Sequence, residues 1–413
     1  MKLFYQILIH CTQLILPAFH FISPKLKLFV KGRTQWKQKL AAQVSENDKI
    51  IWFHTASLGE YEQAVPLINQ LKTSHPNHKI AVSFFSPSGY EVKKKDSKLD
   101  IITYLPIDTP KNAKAFLDIL QPEITFFIKY EIWPNFLDEI AKREIKTYLV
   151  SGVFREDQLY FKPLGHFMAE ALGKFNHIFV QNEDSLQLLK RHHFDNSSLS
   201  GDTRYDRVIS QLSMDNKLEF MEKFTDSDEP VVVFGSSWPE DESLFLDVID
   251  KVSLKIKVVI APHQIKPIQI QKLKKTLTKK VICYTELEHN NLADFDVLIV
   301  DTIGLLTKIY SYADVAYVGG GMGNSGLHNV LEPAAFGIPI IIGDNFKNFP
   351  EAVSLIKLGG LFSVSNQAEF EKIVEKLITN STFRKKRGRI CSHYVNSEAG
   401  ATKTILDFIK LEK

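Results

Sequence analysis

The chain has 413 residues, 44% hydrophobic and 24% charged, an ordinary globular composition that suits about two domains of roughly 150–200 residues each. The formal net charge of +3 gives no argument for nucleic acid as a partner. Cys11, Cys283 and Cys391 are scattered without metal-ligand spacing, which excludes a disulfide framework or a cysteine metal site and fits a reducing compartment.

Residues 1–40 form a first segment. Lys2, Lys25, Lys27, Lys31, Arg33, Lys37 and Lys39 lie in a stretch without Asp or Glu that extends to residue 45. Apolar residues at 3, 4, 7, 8, 11, 14, 15, 18, 19 and 22 follow a helical period, opposite a narrower polar stripe of Gln6, His10, Gln13, Pro17 and His20. The pattern predicts an amphipathic helix lying in a membrane interface with its basic neighbours at the headgroups. Two other readings are a helix whose apolar face docks on the domain core, and a true span, which the polar interruptions disfavour. No small-residue cleavage site follows, so the segment does not read as a removed signal peptide.

Short apolar runs then alternate with helical stretches. Residues 50–54, 80–84, 101–105, 124–128, 147–150 and 177–180 form one series of predicted strands. A polar, unpatterned stretch, Asp215 to Pro230, interrupts it, and the rhythm resumes at 231–234, 258–260, 281–283, 297–300, 315–318 and 338–342. This is the signature of βαβ units, giving an α/β fold of two Rossmann-like halves, residues 41–210 and 211–413. Lys372 to Leu411 reads as closing helices able to pack back on either half. Ligands of such sheets bind beyond the carboxyl ends of the strands, so the chemistry is sought in the turns.

After 50–54, Gly59 permits a tight turn and Glu60 falls at the next helix start. There it can take a proton from a hydroxyl, or simply favour the helix dipole. Ser86-Pro87-Ser88-Gly89 reads as a helix cap. Lys129-Tyr130-Glu131-Ile132-Trp133-Pro134 follows 124–128. Glu131 can orient a hydroxyl or stabilise positive charge, or the segment is a helix start with Pro134 in its first turn. In the second half, Ser236 and Ser237 are phosphate contacts or caps. Pro262 and His263 end one strand, Asp301-Thr302-Ile303-Gly304 can wrap a base or ribose, and Asn348 and Glu351 follow 338–342. Gly319-Gly320-Gly321-Met322-Gly323-Asn324-Ser325-Gly326 follows 315–318, with a helix expected from near His328. Strand, glycine-rich turn and helix start offer backbone N–H groups to an anion, and Glu332 beyond can reach sugar hydroxyls. Together these suggest a nucleotide-sugar site. No P-loop, HExxH or nucleophile elbow is present, and no acidic residue follows the glycines at dinucleotide spacing.

In order, the turns resemble those of the 3-deoxy-D-manno-octulosonic acid (Kdo) transferases of lipopolysaccharide biosynthesis. The matching segments are Trp52-Phe53-His54-Thr55-Ala56-Ser57-Leu58-Gly59-Glu60, Glu131-Ile132-Trp133-Pro134-Asn135, Gly201-Asp202-Thr203-Arg204-Tyr205-Asp206 and Asp301-Thr302-Ile303-Gly304. Gly326-Leu327-His328-Asn329-Val330-Leu331-Glu332-Pro333-Ala334-Ala335 and Asn348-Phe349-Pro350-Glu351 complete the set.

The resemblance implies a two-domain GT-B fold with a cleft between the domains. It implies inverting transfer of Kdo from CMP-Kdo to a glucosamine hydroxyl of a lipid A precursor, lipid IVA, at the cytoplasmic face of the bacterial inner membrane. Neither a metal nor a cofactor is implied. Glu60 is the implied general base, with Glu131 and Arg204 assisting the transition state. The cytidine phosphate is implied to contact Pro262, His263, Ile303, Gly304, Leu305, Asn329, Val330, Leu331 and Glu332. Ser236, Ser237, Asn348 and Glu351 complete the expected donor site. The family's Pro-Arg-His is here Ala261-Pro262-His263, an expected acidic residue is Leu305, an expected Lys is Arg204, and an expected Glu is Lys129. Transfer from another nucleotide sugar and a non-catalytic sugar-nucleotide- or lipid-binding homologue are the alternatives.

Overall fold

The computed structural model describes residues 1–19, 21–251 and 255–409. His20 of the predicted polar stripe, and Lys410 and Leu411 of the predicted closing helices, lie outside the described residues. The chain forms two compact units, one from Met1–Arg207 with the described part of Ala399–Lys413, the other from the described part of Val208–Glu398.

The first unit is built on seven strands: β1 (Lys49–Thr55), β2 (His78–Phe84), β3 (Ile101–Tyr104), β4 (Ile124–Ile128), β5 (Lys146–Gly152), β6 (His177–Val180) and β7 (Ser197–Leu199). They form one parallel sheet in the order β3-β2-β1-β4-β5-β6-β7. Both faces are covered, which is why the central strands read as continuous apolar runs. Alternate side chains of β1 and β4 feed opposite cores. Trp52 and Phe127 pack on one face with Phe116 and Phe136, while Phe53 and Phe126 pack on the other with Tyr61 and Phe84. The final helix, Ala401–Phe408, returns to this unit. Asp206 accepts from the N–H groups of Gly400 and Thr402, both at 2.7 Å, and Ile405 enters the core beside Phe53.

The second unit repeats the plan with β8 (Val231–Ser237), β9 (Lys257–Pro262), β10 (Val281–Cys283), β11 (Val297–Ile299), β12 (Val315–Val318), β13 (Ile340–Ile342) and β14 (Leu361–Ser363). Its parallel order is β10-β11-β9-β8-β12-β13-β14. Helices Pro87–Lys93, Pro110–Leu120, Pro134–Lys142, Pro239–Lys251, Pro267–Thr276 and Pro350–Leu358 each begin on proline. The ring presets the helical φ at a position whose N–H needs no helical partner.

The topology selects two places for ligands. Connections leave in opposite directions on either side of the β1–β4 pair in the first sheet and of the β8–β12 pair in the second. Such switch points open crevices at the strands' carboxyl ends. The turns there carry Glu60 and Glu131 in one unit, and Ser236–Trp238 and the glycine run in the other.

The structure corrects several sequence expectations. The helix expected from near His328 begins at Leu331 and ends at Ala335. The stretch Asp215 to Pro230 holds a helix, Glu219–Phe224, whose Met221 and Phe224 are fully buried. β7 and β14 were not predicted, being three-residue edge strands too short to show a period.

The N-terminal segment folds as helix Lys2–Ile15 and a 3-10 turn, Leu16–Phe19. Its polar side faces the protein. Tyr5 Oη donates to Asp108 at 2.6 Å, Gln6 Nε2 to Asn135 at 2.5 Å, and Lys2 pairs with Asp138 at 2.8 Å. Leu3, Phe4, Ile7, Leu8, Leu14 and Ile15 are each at least 52% exposed. Docking through the apolar face is therefore not what the structure shows. The receiving surface is the start of helix Pro134–Lys142, where buried Asp108 also accepts from the N–H groups of Asn135 and Phe136 at 3.1 and 3.0 Å. Such a surface matches polar partners. No single helix among the described residues is long and apolar enough to cross a membrane.

Candidate active site

In the first unit, Glu60 is half-buried in the first turn of helix Leu58–Ser74. The Ser57 hydroxyl, at that helix's N-cap, donates to its carboxylate. Glu131 stands across the switch point in the turn between β4 and helix Pro134–Lys142, with its side chain 13% exposed. Trp133 Nε1 lies 3.0 Å from Glu131 Oε2 and 3.0 Å from His54 Nε2. The Arg204 guanidinium is held by Asp202, Nε to Oδ2 at 2.7 Å, at the start of helix Thr203–Leu212. Of the eight non-glycine residues with positive φ among the described residues, three lie at the ends of strands. Lys129, Ser151 and Ser236 all adopt positive φ, at 64°, 57° and 54°. Left-handed non-glycine residues cost about 1–3 kcal/mol each and concentrate at functional sites.

In the second unit, the predicted donor residues divide. Glu332 joins two segments, accepting from Thr307 Oγ1 at 2.8 Å and from Asn329 Nδ2 at 3.1 Å. It thereby ties helix Leu306–Ile309, which follows Ile303–Leu305, to the Asn329–Glu332 turn. Thr307 was not among the sequence candidates. His263 and Asn348 are exposed, Ser236 is partly exposed, and Gly304 turns at φ 90° beside Ile303, which is 81% exposed. By contrast, Val330 and Leu331 are buried core residues, and the buried Ser237 hydroxyl donates to Glu242 Oε1 at 3.2 Å. These three side chains serve packing. Glu351 is buried in the first turn of helix Pro350–Leu358.

The glycine-rich turn differs most from expectation. Its amides do not all face outward for an anion. Asp241, fully buried, accepts from Gly320 N at 2.8 Å, Met322 N at 3.4 Å, Trp238 N at 2.9 Å and Tyr317 Oη at 2.8 Å. An internal carboxylate thus takes two of the amides expected to meet a ligand's phosphate. The glycines permit close backbone approach: a Cβ on Gly321 would come within 2.9 Å of Gly343 N, and Gly320 has φ 92°. Asp241 sits 79 residues from Gly320, so no local spacing announces it.

Trp238, His263 and His328 form an aromatic cluster beyond the ends of β8, β9 and β12; His263 was a sequence candidate, and its two ring partners were not. Trp238 stacks on His263 at 4.6 Å and donates from Nε1 to His328 Nε2 at 3.0 Å, and the two imidazoles are 4.4 Å apart. Burial, reinforced by His263, pushes His328 down to about 4, and burial also lowers His263. A folded-state value below the unfolded 6.5 means that the unfolded chain binds the proton first. Stability should therefore fall as pH drops from about 6.5 towards about 4. Allowing for the ring's partial exposure, the loss is about 1–2 kcal/mol. Urea denaturation at pH 7 and pH 5 measures it, and His328→Gln should flatten the difference.

Two parallel-sheet α/β domains, each with a switch point at the carboxyl ends of its central strands, define the GT-B fold. Residues 34–207 match the family described as 3-Deoxy-D-manno-octulosonic-acid transferase (kdotransferase), and the chain is a glycosyltransferase related to those enzymes. A 3-deoxy-D-manno-octulosonic acid transferase of Haemophilus influenzae is 26% identical over 373 residues, covering 87% of this chain and 86% of that protein. A bifunctional glycosyltransferase/methyltransferase of Fusobacterium nucleatum is 27% identical over 374 residues. That match covers 86% of this chain but 56% of the relative, so this chain spans little more than half its length. In fold, UDP-GlcNAc 2-epimerase from Neisseria meningitidis superposes with a TM-score of 0.63 at 15% identity, over 87% of this chain and 98% of that one. Acinetobacter baumannii MurG does so with 0.52 at 11% identity, over 88% and 99%.

Proposed function

We propose that this enzyme is an inverting transferase that moves Kdo from CMP-Kdo to a glucosamine hydroxyl of a lipid A precursor, lipid IVA, in lipopolysaccharide core biosynthesis. The observation that carries this reading is the placement of Glu60 and Glu131 on the turns after β1 and β4, inside the segment matched to the Kdo-transferase family. Glu60 takes the proton of the acceptor hydroxyl as its oxygen bonds to the anomeric carbon. The carbon–oxygen bond to CMP breaks in the same displacement and CMP keeps the electron pair, so one displacement inverts the centre. Glu131 and Arg204 meet charge developing on the sugar and its leaving group. The first unit is assigned the acceptor. The second is assigned the donor, through Ser236, His263, Ile303–Leu305, Asn329, Glu332 and Asn348. With His263 and His328 both pushed down by burial, the donor phosphate is met there by hydrogen-bond donation rather than by a fixed imidazolium.

A second reading, transfer from another nucleotide sugar, is favoured by Pro262 and Leu305, which stand where the Kdo-transferase pattern expects an Arg and an acidic residue. Offering CMP-Kdo and a panel of UDP-sugars with lipid IVA separates the two. Transfer from a UDP-sugar and not from CMP-Kdo overturns the first.

The same reading places the enzyme on the cytoplasmic face of the inner membrane through helix Lys2–Ile15. Its polar side is engaged with the domain, which supports insertion of the outward apolar side among lipids. Changing Leu3, Ile7, Leu8 and Leu14 to serine leaves the polar docking contacts intact. Each loses about 1–2 kcal/mol of apolar immersion, so vesicle binding should fall at least about 100-fold. Flotation with anionic vesicles measures this, and unchanged flotation contradicts the membrane role of the helix.

A further inference from the structure

The chemistry around Glu131 includes a group with no role so far. His54 is the penultimate residue of β1, with its side chain fully buried. Its Nδ1 lies 2.9 Å from Ser83 Oγ, which lies 2.8 Å from Trp52 Nε1. Its Nε2 is 3.4 Å from Glu131 Oε2 and 3.0 Å from Trp133 Nε1.

The proton positions follow from what each group can do. An indole N–H only donates, so Ser83 Oγ accepts from Trp52. Ser83 is fully buried, and the one acceptor within reach of its own proton among the described residues is His54 Nδ1. With Nδ1 accepting, the ring's proton sits on Nε2. A protonated Nε2 cannot accept from Trp133, whose N–H therefore goes to Glu131 Oε2 at 3.0 Å. The opposite tautomer would leave the buried Ser83 hydroxyl proton without a partner. Trp133 Nε1–H thus bonds the carboxylate oxygen at 3.0 Å, and His54 Nε2 faces the same oxygen at an ion-pair distance of 3.4 Å. The long contact is of the kind that tightens when substrate binds.

We propose that His54 is a positioning residue for Glu131. Locked as the Nε2–H tautomer by the Trp52–Ser83 chain, it and Trp133 hold Oε2 and turn the other carboxylate oxygen towards substrate. The inference rests on the reading of Glu131 as a group that meets the sugar during transfer. Because the imidazole is supported from behind by a strand-borne hydroxyl, the carboxylate's aim is set by the sheet rather than by its loop.

Two measurements test it. Nitrogen-15 NMR of histidine-labelled wild-type enzyme at neutral pH should show His54 neutral with hydrogen on Nε2, and Ser83→Ala should disturb that signal. An Nδ1–H or doubly protonated ring overturns the proposal. In the second, His54→Gln retains an N–H near the Nε2 position, whereas His54→Asn reaches only towards Ser83. The Asn variant should lose about 10–100-fold in kcat with donor KM changed by less than about threefold, and the Gln variant should recover most of the loss. Equal kcat in the two variants, at matched thermal stability, overturns the proposal, whether both are impaired or both normal. The NMR readout needs no turnover. Absence of Kdo transfer by the wild-type enzyme would therefore sink the proposed reaction while the tautomer still decided the role of His54.

Discussion

Glu60→Gln lowers kcat by about 10²–10⁴-fold, while CMP affinity stays within about twofold. The substitution keeps the shape of the side chain and its place in the first turn of helix Leu58–Ser74, and removes only the ability to accept a proton. Glu60 is assigned the acceptor hydroxyl and is not among the residues assigned to CMP, so donor binding has no reason to change. The competing role is electrostatic support of the helix start. It predicts a different outcome: a loss of about 0.3–1 kcal/mol in stability with turnover retained. Steady-state kinetics beside calorimetric CMP titration separates the two, and near-normal turnover removes Glu60 as the base.

The largest stability effect is expected at Asp241. Asp241→Ala takes one fully buried carboxylate from three close donors, Trp238 N, Gly320 N and Tyr317 Oη, and from the longer Met322 N contact. Gly320 N and Tyr317 Oη are buried and lose their partner outright, while Trp238 and Met322 are part-buried, so the cost is about 3–5 kcal/mol for the second unit. The functional consequence follows from connectivity. Asp241 ties the turn after β8 to the turn after β12, and those turns carry Trp238 and His328. CMP binding should therefore weaken at least about tenfold even where the variant is still folded. Asp241→Asn, which keeps an acceptor oxygen without the charge, should fall between the two. Urea denaturation followed through the second unit's transition supplies the stability. A loss below about 1 kcal/mol would show that the carboxylate is not what closes these turns.

Much of this architecture was legible in the sequence because parallel strands buried on both faces leave uninterrupted apolar runs. Ile124 to Ile128 is such a run, and every residue of β4 is buried. Prolines at helix starts mark where the strands give way, and Trp133-Pro134 is one of those points. Glu60 and Glu131 were legible as candidates because strand-end turns are few and their acidic residues fewer. Less was legible wherever partners are distant in sequence. The glycine run 319–326 reads as an anion cradle, and only the fold reveals that Asp241 takes two of its amides. Asn329-Val330-Leu331-Glu332 matches a binding motif as a unit, yet Val330 and Leu331 point into the core while Asn329 and Glu332 bond to each other. The N-terminal helix carries both faces in its sequence, but periodicity does not say which face meets protein. Asp108, buried under Tyr5, decides that.

The most direct measurement is mass spectrometry of the lipid product after incubating purified full-length enzyme with lipid IVA and CMP-Kdo. The account predicts a mass increment of whole Kdo residues on the acceptor, dependent on Glu60 and accompanied by release of CMP. Unmodified lipid IVA with CMP-Kdo, together with a product formed from a different nucleotide sugar, would contradict it.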